Sequence, residues 1–566
     1  MRADAVRSRD SESTMHEMTV GHYLLRRLEE AGLEHMFGVP GDYVLDFMDQ
    51  VVESRIRLIG NCNELNAGYA ADAYARLKGI GAACVTYGVG GLSILNAASG
   101  AYAERAPVVF ISGAPRASQR IAGTHMHHTL SSYQLQLEMF ARVTVDSVQL
   151  TNSHTAPDEI DRVLVNCLSE RLPVYIELPL DMVDAPCRSP VALDFHRPHS
   201  SHAPALEECM RETAAMIDAA QRPVILAGVE VHRFGLGDAL FRLAEKTGIP
   251  YATTIDGKSA LPEKHPLFMG VYMGALSRDT VKAQVEFSDG LLCFGVMTTD
   301  VNTGGFTACL PEQNMVRAHK DRVRVSSHFY ERVWMGDLIE ALTAELGPHC
   351  CIVDHPEDPH EAKGAYTADS SAPVRVARFY DRLNRFLQPD HLVLAETGDA
   401  MFAASELYIG DPEGFISQAY YLSIGYALPA TLGVCLARPD KRAVLLQGDG
   451  SFQMTAQELS TLMRHHCNPI IILLNNDGYV IERLIHDGPY NDIQPWRYHD
   501  LPAAFGGDAL SLEVRTEGEL EAALTAAEGN PERLVFINLH LPPNEGSAAL
   551  ERLCTALRQL QIAKEN

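Results

Sequence analysis

At 566 residues the chain is too long for one hydrophobic core, so about two to four domains are expected. Hydrophobic residues make up 46% and charged residues 21%, which excludes a mostly disordered or collagen-like protein. A net charge of −26 would repel a phosphate backbone and argues against a general nucleic-acid binder, and no apolar run reaches the ~20 residues of a membrane span.

Residues 1–17 are polar and mixed in charge, lack the apolar stretch of a signal peptide, and read as a disordered tail. The twelve cysteines form no CxxC pair and show no zinc-ligand spacing, which points to reduced thiols in a cytoplasmic protein. The chain also lacks a Walker A loop, an HExxH helix and a GxSxG elbow.

Three blocks alternate short β-branched runs with longer helical patterns, so the expected fold class is α/β, with three doubly wound parallel-sheet domains. The first, residues 18–190, opens with Thr19 as an N-cap and Val20, Tyr23, Leu24, Leu28 and Ala31 on one helical face. Strands are expected at His35–Val39, Ala83–Tyr87, Val108–Ser112 and Pro173–Leu178. Pro186, Pro190, Pro198 and Pro204 mark a linker. The second block, 206–345, holds Pro223–Val231, Ile249–Thr254 and Leu291–Val296; it has no GxGxxG fingerprint and reads as structural or regulatory. After a second proline-rich segment, 346–374, the third block, 375–566, holds His391–Thr397, Ala443–Gln447, Ile470–Leu474 and Leu534–Leu541.

The third block carries a chemical pattern. One expected strand runs into Gly448-Asp449-Gly450-Ser451, and the next opens into Asn475-Asn476-Asp477-Gly478. The spacing fits one helix and one strand, placing Asp449 and Asn476 at neighbouring carboxyl ends, where open α/β sheets bind ligands. Asp449, Asn476 and the Gly478 carbonyl offer the hard oxygens that Mg²⁺ takes, and Gly448, Gly450 and Ser451 let backbone N–H groups approach a diphosphate. A GDG alone is a common turn; its pairing with the NN segment gives it meaning.

GDGS…LLNNDGY resembles the diphosphate and Mg²⁺ motif of thiamine-diphosphate-dependent enzymes, and NNDGYVIER followed by Ile485-His486 resembles the 2-oxo acid decarboxylases. That group includes the pyruvate, indolepyruvate, phenylpyruvate and branched-chain 2-keto acid decarboxylases, and the resemblance runs from about residue 18. It implies thiamine diphosphate and Mg²⁺ as cofactors and non-oxidative decarboxylation of a 2-oxo acid to an aldehyde and CO₂.

The resemblance also assigns roles that the residues alone leave open. Glu64, in Asn63-Glu64-Leu65-Asn66, would otherwise read as a solvated first-turn acid; in the family it bonds the pyrimidine N1′ of the cofactor. Asp42, in a GD turn, and the His127-His128 pair match the family's proton-relay residues, with Glu482 completing the set. Ile424, in Ser423-Ile424-Gly425, matches the residue that wedges the two cofactor rings, and the Leu422 carbonyl accepts from the N4′ amino group.

Departures from the family bear on the substrate. Gly91 stands where the family often has glutamate, Met401 where it often has a pocket aromatic, and the loop from His486 to Asn491 is shorter. Met401 and Ile481, with Leu553 and Leu557 at the substrate mouth, imply a roomy apolar pocket for medium-chain or branched aliphatic 2-oxo acids. Aryl-pyruvates are the alternative, and an acetolactate-synthase-type carboligase is a more distant one. The family also implies a homodimer or homotetramer with active sites shared between subunits, and no nucleic-acid or membrane partner.

Overall fold

The computed structural model describes residues 18–121, 123–195, 200–349 and 366–565. The N-terminal tail and much of the second proline-rich segment lie outside them. In the first domain six strands form an all-parallel sheet: β1 (His35–Gly38), β2 (Arg57–Gly60), β3 (Gly81–Val85), β4 (Val108–Ala114), β5 (Asp146–Gln149) and β6 (Val174–Pro179). Their order is β2-β1-β3-β4-β6-β5, and β3, β4 and β6 are buried along their whole length, as strands covered by helices on both faces must be. The opening helix, Val20–Glu30, starts where Thr19 accepts a hydrogen bond from the His22 N–H, and it buries Val20, Tyr23, Leu24 and Leu28.

The middle domain is a seven-stranded sheet of β7 (Pro223–Ala227), β8 (Tyr251–Thr253), β9 (Phe268–Val271), β10 (Gly290–Phe294), β11 (Met315–His319), β12 (Arg322–Val325) and β13 (His328–Glu331). Strands β12 and β13 are antiparallel additions at one edge, so this sheet is parallel only in part. The expected strand Pro223–Val231 is cut short at Ala227, and Val229–Arg233 is helical. A Cβ at Gly228 would lie 2.3 Å from the Gly295 carbonyl oxygen, so the chain turns there against the end of β10.

The third domain is again all parallel: β14 (His391–Ala395), β15 (Phe415–Ile416), β16 (Arg442–Gly448), β17 (Ile470–Asn475), β18 (Leu510–Val514) and β19 (Val535–His540), ordered β15-β14-β16-β17-β19-β18. The first and third domains join through two helices, Glu64–Lys78 and Ala427–Ala437. Gly433 lets their backbones touch, since a Cβ there would sit 2.1 Å from the Ala70 carbonyl oxygen. Buried Glu458 reinforces the join by accepting from Asn61 Nδ2 at 2.9 Å, the Cys62 N–H at 3.2 Å and Asn66 Nδ2 at 2.7 Å. Among the described residues no helix is long and apolar enough to cross a membrane.

Candidate active site

Strands β16 and β17 lie side by side in parallel, with Gly448 opposite Leu474. Their carboxyl ends therefore release Asp449 and Asn476 on the same edge of the sheet. Asp449 is buried, and its carboxylate accepts from the Gly450 N–H at 2.8 Å and the Gly478 N–H at 3.3 Å. Burial pushes its carboxyl up to about 7. The Asn476 amide faces Asp449 Oδ1 at 3.2 Å and the Gly478 carbonyl at 2.9 Å. With its nitrogen turned inward the amide donates to both neighbours; with its oxygen turned inward it would join them as a third oxygen at separations near the ~2.9 Å between adjacent ligands of an octahedral Mg²⁺. The donor set therefore fits a magnesium ion. A Cβ at Gly450 would strike the Tyr479 ring at 2.5 Å, so the close turn requires glycine.

A cavity of about 690 Å³ opens beside these donors. Gly448, Gly450, Ser451, Asn476 and Gly478 line one part of it, and Leu422, Ile424, Ile481, Glu482, Ile485 and Leu553 line another. Leu422 is held at φ +58°, in the left-handed region, and Ile424 is 37% exposed. Thr397 and Gly398 contribute the loop after β14.

Met401 does not line this cavity. It is fully buried in the core of the third domain, because in the short helix Asp399–Ala404 its side chain points inward while Ala400 and Phe402 face the opening. The pocket wall there carries an aromatic ring after all. The side chain of Leu557 lies outside the described residues. The middle domain also takes part in the site, against the reading of it as only structural or regulatory: Leu276, Asp300, Val301, Gly304 and Gly305 line the cavity. Gly304 and Gly305 lie in a loop beyond the carboxyl end of β10, and nothing in the sequence pattern singled that loop out.

The remaining candidate residues gather at the carboxyl edge of the first sheet. Asp42 follows β1, and His127 Nε2 lies 2.5 Å from Asp42 Oδ2. The His127 ring stacks on Tyr43 at 4.8 Å and meets His128 edge-on at 4.7 Å. Gly88, at φ +67°, packs against His128, where a Cβ would sit 2.3 Å from the His128 carbonyl oxygen. Glu64 opens its helix after Asn63 caps it by accepting from the Asn66 N–H at 2.9 Å, and a Cβ at Gly90 would lie 3.6 Å from Glu64 Oε1. Asp42, His127, His128 and Glu64 thus share one edge, and none of them lines the cavity at Asp449. Asp42, His127 and His128 could by geometry also hold a metal ion, their ligand atoms lying within 4.8 Å of one another.

Comparison with known proteins matches three successive stretches to the thiamine pyrophosphate enzymes: the N-terminal TPP binding domain over residues 18–137, the central domain over 210–344 and the C-terminal TPP binding domain over 387–539. The chain is 39% identical over 552 residues to an alpha-keto-acid decarboxylase of Mycobacterium leprae (strain TN), covering 95% of each protein. It is 36% identical over 551 residues to pyruvate decarboxylase 4 of Arabidopsis thaliana, covering 95% of this chain and 91% of that one.

Proposed function

The chain belongs to the thiamine pyrophosphate enzymes and is a 2-oxo acid decarboxylase among them, and from that premise we propose that it converts medium-chain or branched aliphatic 2-oxo acids to aldehydes and CO₂ with Mg²⁺. One observation carries the substrate reading: the part of the cavity away from the diphosphate and Mg²⁺ residues is walled by Leu276, Val301, Ile481, Ile485 and Leu553, an apolar lining that suits an alkyl side chain better than the methyl group of pyruvate.

Asp449, Asn476 and the Gly478 carbonyl hold Mg²⁺, and the N–H groups of the Gly448–Ser451 turn approach the diphosphate. Thiamine diphosphate, when bound, supplies the electron sink for the carboxylate's bonding electrons as CO₂ leaves. Leu422 and Ile424 orient what fills the cavity. Glu64 holds a proton at its carboxylate for the pyrimidine ring, and Asp42, His127, His128 and Glu482 move protons at the reacting carbon and at the product oxygen. The apolar wall excludes water around the carboxylate.

Glu64, Asp42 and the histidines stand apart from the cavity of their own chain, which supports a homodimer, or a dimer of dimers, whose sites combine the first domain of one subunit with the third of another. Mixing Glu64→Gln with Asp449→Ala subunits tests this: exchanged hybrids should recover activity, and hybrids that form without recovering it would exclude sharing.

A second reading, aryl-pyruvate decarboxylation, rests on Phe402 and Tyr380 in the cavity wall. The deciding experiment supplies Mg²⁺ and thiamine diphosphate with pyruvate, 4-methyl-2-oxopentanoate, 2-oxooctanoate and phenylpyruvate, and scores CO₂, aldehyde and acyloin separately. Best turnover of the two aliphatic acids supports the first reading and best turnover of phenylpyruvate the second. Acyloin without free aldehyde would make the enzyme a carboligase.

A further inference from the structure

The turn that presents Leu422 and Ile424 to the cavity is strained, and the strain has an identifiable restraint. Leu422 sits at φ +58° and Gly425 at φ +89°. A left-handed leucine persists only where its surroundings fix it. The helix Glu64–Lys78 grips this turn from the first domain of the same chain. The Tyr69 hydroxyl lies 2.7 Å from Ser423 Oγ. Asn96 joins them, donating from Nδ2 to the Tyr69 oxygen at 2.9 Å and to Ser423 Oγ at 3.0 Å, while its Oδ1 accepts from the Tyr421 hydroxyl at 3.0 Å.

The grip repeats along the helix. Asp72, one turn after Tyr69, accepts from the Tyr426 hydroxyl at 2.6 Å, and Arg76, one turn further, donates to the Ser417 carbonyl at 2.7 Å. Tyr69 also packs edge-on against Tyr426, with ring centroids 5.4 Å apart. One helical face therefore holds Ser417, Ser423 and Tyr426, which bracket the strained leucine. Asp72 and Arg76 bind each other at 2.6 Å in the buried interface, so their removal would damage the fold. The Tyr69 hydroxyl and Ser423 Oγ can be removed singly with little change in packing.

We propose that Tyr69 is a positioning residue: through Ser423 its hydroxyl sets Leu422 and Ile424 against the cofactor, so the helix that begins at Glu64 also aligns the cofactor-facing turn of its own chain. This rests on the reading of the cavity as the thiamine diphosphate site.

The test compares Tyr69→Phe, Ser423→Ala and Ser423→Thr in the full-length chain with Mg²⁺. Titrating each apoenzyme with thiamine diphosphate, followed by intrinsic fluorescence, reads cofactor affinity without turnover; kcat, KM and the melting temperature are measured beside it. Expected for Tyr69→Phe and Ser423→Ala are about fivefold weaker cofactor binding and a kcat about tenfold lower, with substrate KM within about twofold. Ser423→Thr, which keeps the hydroxyl, should restore both. A lower melting temperature with unchanged cofactor affinity and kcat would make Tyr69 merely structural and overturn the proposal. Absence of cofactor binding by the unmodified chain would instead overturn the site reading beneath it.

Discussion

His127 Nε2 and Asp42 Oδ2 lie 2.5 Å apart although 85 residues separate them in the chain. The contact exists because β1 and β3 are neighbours, which puts the Asp42 turn and the loop that His128 packs against on one sheet edge. Both side chains are about half exposed, so the pair adds little to stability, and a molecule bound at this edge could reach it.

Replacing Asp42 with Asn should therefore cost activity and spare the fold. A kcat lower by about 10²–10⁴-fold is expected, as for loss of a group in proton transfer, with the melting temperature unchanged. Steady-state aldehyde release and a thermal melt on the same preparation check this. A clear fall in melting temperature would assign the pair a structural role instead.

Glu396 gives a pH prediction. Its carboxyl is buried and pushed up to about 7 by that burial, while accepting from the Thr397 N–H at 2.9 Å and the Ala427 N–H at 3.0 Å. The folded chain therefore binds this proton more tightly than the unfolded chain, whose carboxyl titrates near 4.5. Stability from this group is complete below about pH 4.5 and is lost as pH rises through about 7, a change on the order of 3 kcal/mol. Urea unfolding between pH 5 and about 7.5 should show this decline in the unmodified apoenzyme, and the decline should be smaller in Glu396→Gln.

Glu458 joins the first and third domains through three hydrogen bonds from Asn61, Cys62 and Asn66. Glu458→Ala leaves those donors unpaired at a buried interface and should destabilise the chain by about 3–5 kcal/mol. Equilibrium unfolding measures the loss, and Glu458→Gln should recover part of it. A change within 0.5 kcal/mol, about what a surface substitution causes, would show that water replaces the carboxylate there.

The ring of Phe402 is one of the aromatic side chains, with Tyr380, Tyr479 and Tyr490, that the third domain contributes to the cavity wall. Phe402→Ala should shift preference toward longer side chains, raising the ratio of kcat/KM for 2-oxooctanoate over pyruvate by about tenfold, the discrimination that a methylene or two commands in an apolar pocket. An unchanged ratio would place the substrate chain along Val301 and Leu553 instead.

Much of this protein was legible in its sequence because the signals are local. Parallel strands buried on both faces read as short β-branched runs, and the core strands β3, β4, β6, β7, β10, β14, β16, β17 and β19 correspond to expected segments to within a few residues. The Asp449 and Asn476 pair was legible for the same reason: a strand, a turn and a helix of fixed rise carry each residue to a known sheet edge. Most edge strands were not visible. Strands β12 and β13 are short and antiparallel, and β15 has two residues, so their pairing depends on neighbours far along the chain rather than on a local pattern.

Tertiary structure alone decided the walls of the site. Whether Met401 or Phe402 faces the cavity depends on how a six-residue helix is rotated against its core, and a shift of one residue turns a helical side chain by about 100°. The loop of Asp300–Gly305 reaches the same cavity from another domain, and no spacing within the chain encodes that approach. The left-handed Leu422 is the clearest case. No leucine announces a positive φ; it is held there by Tyr69, Asn96 and Asp72, whose contacts exist only after the first domain has docked on the third.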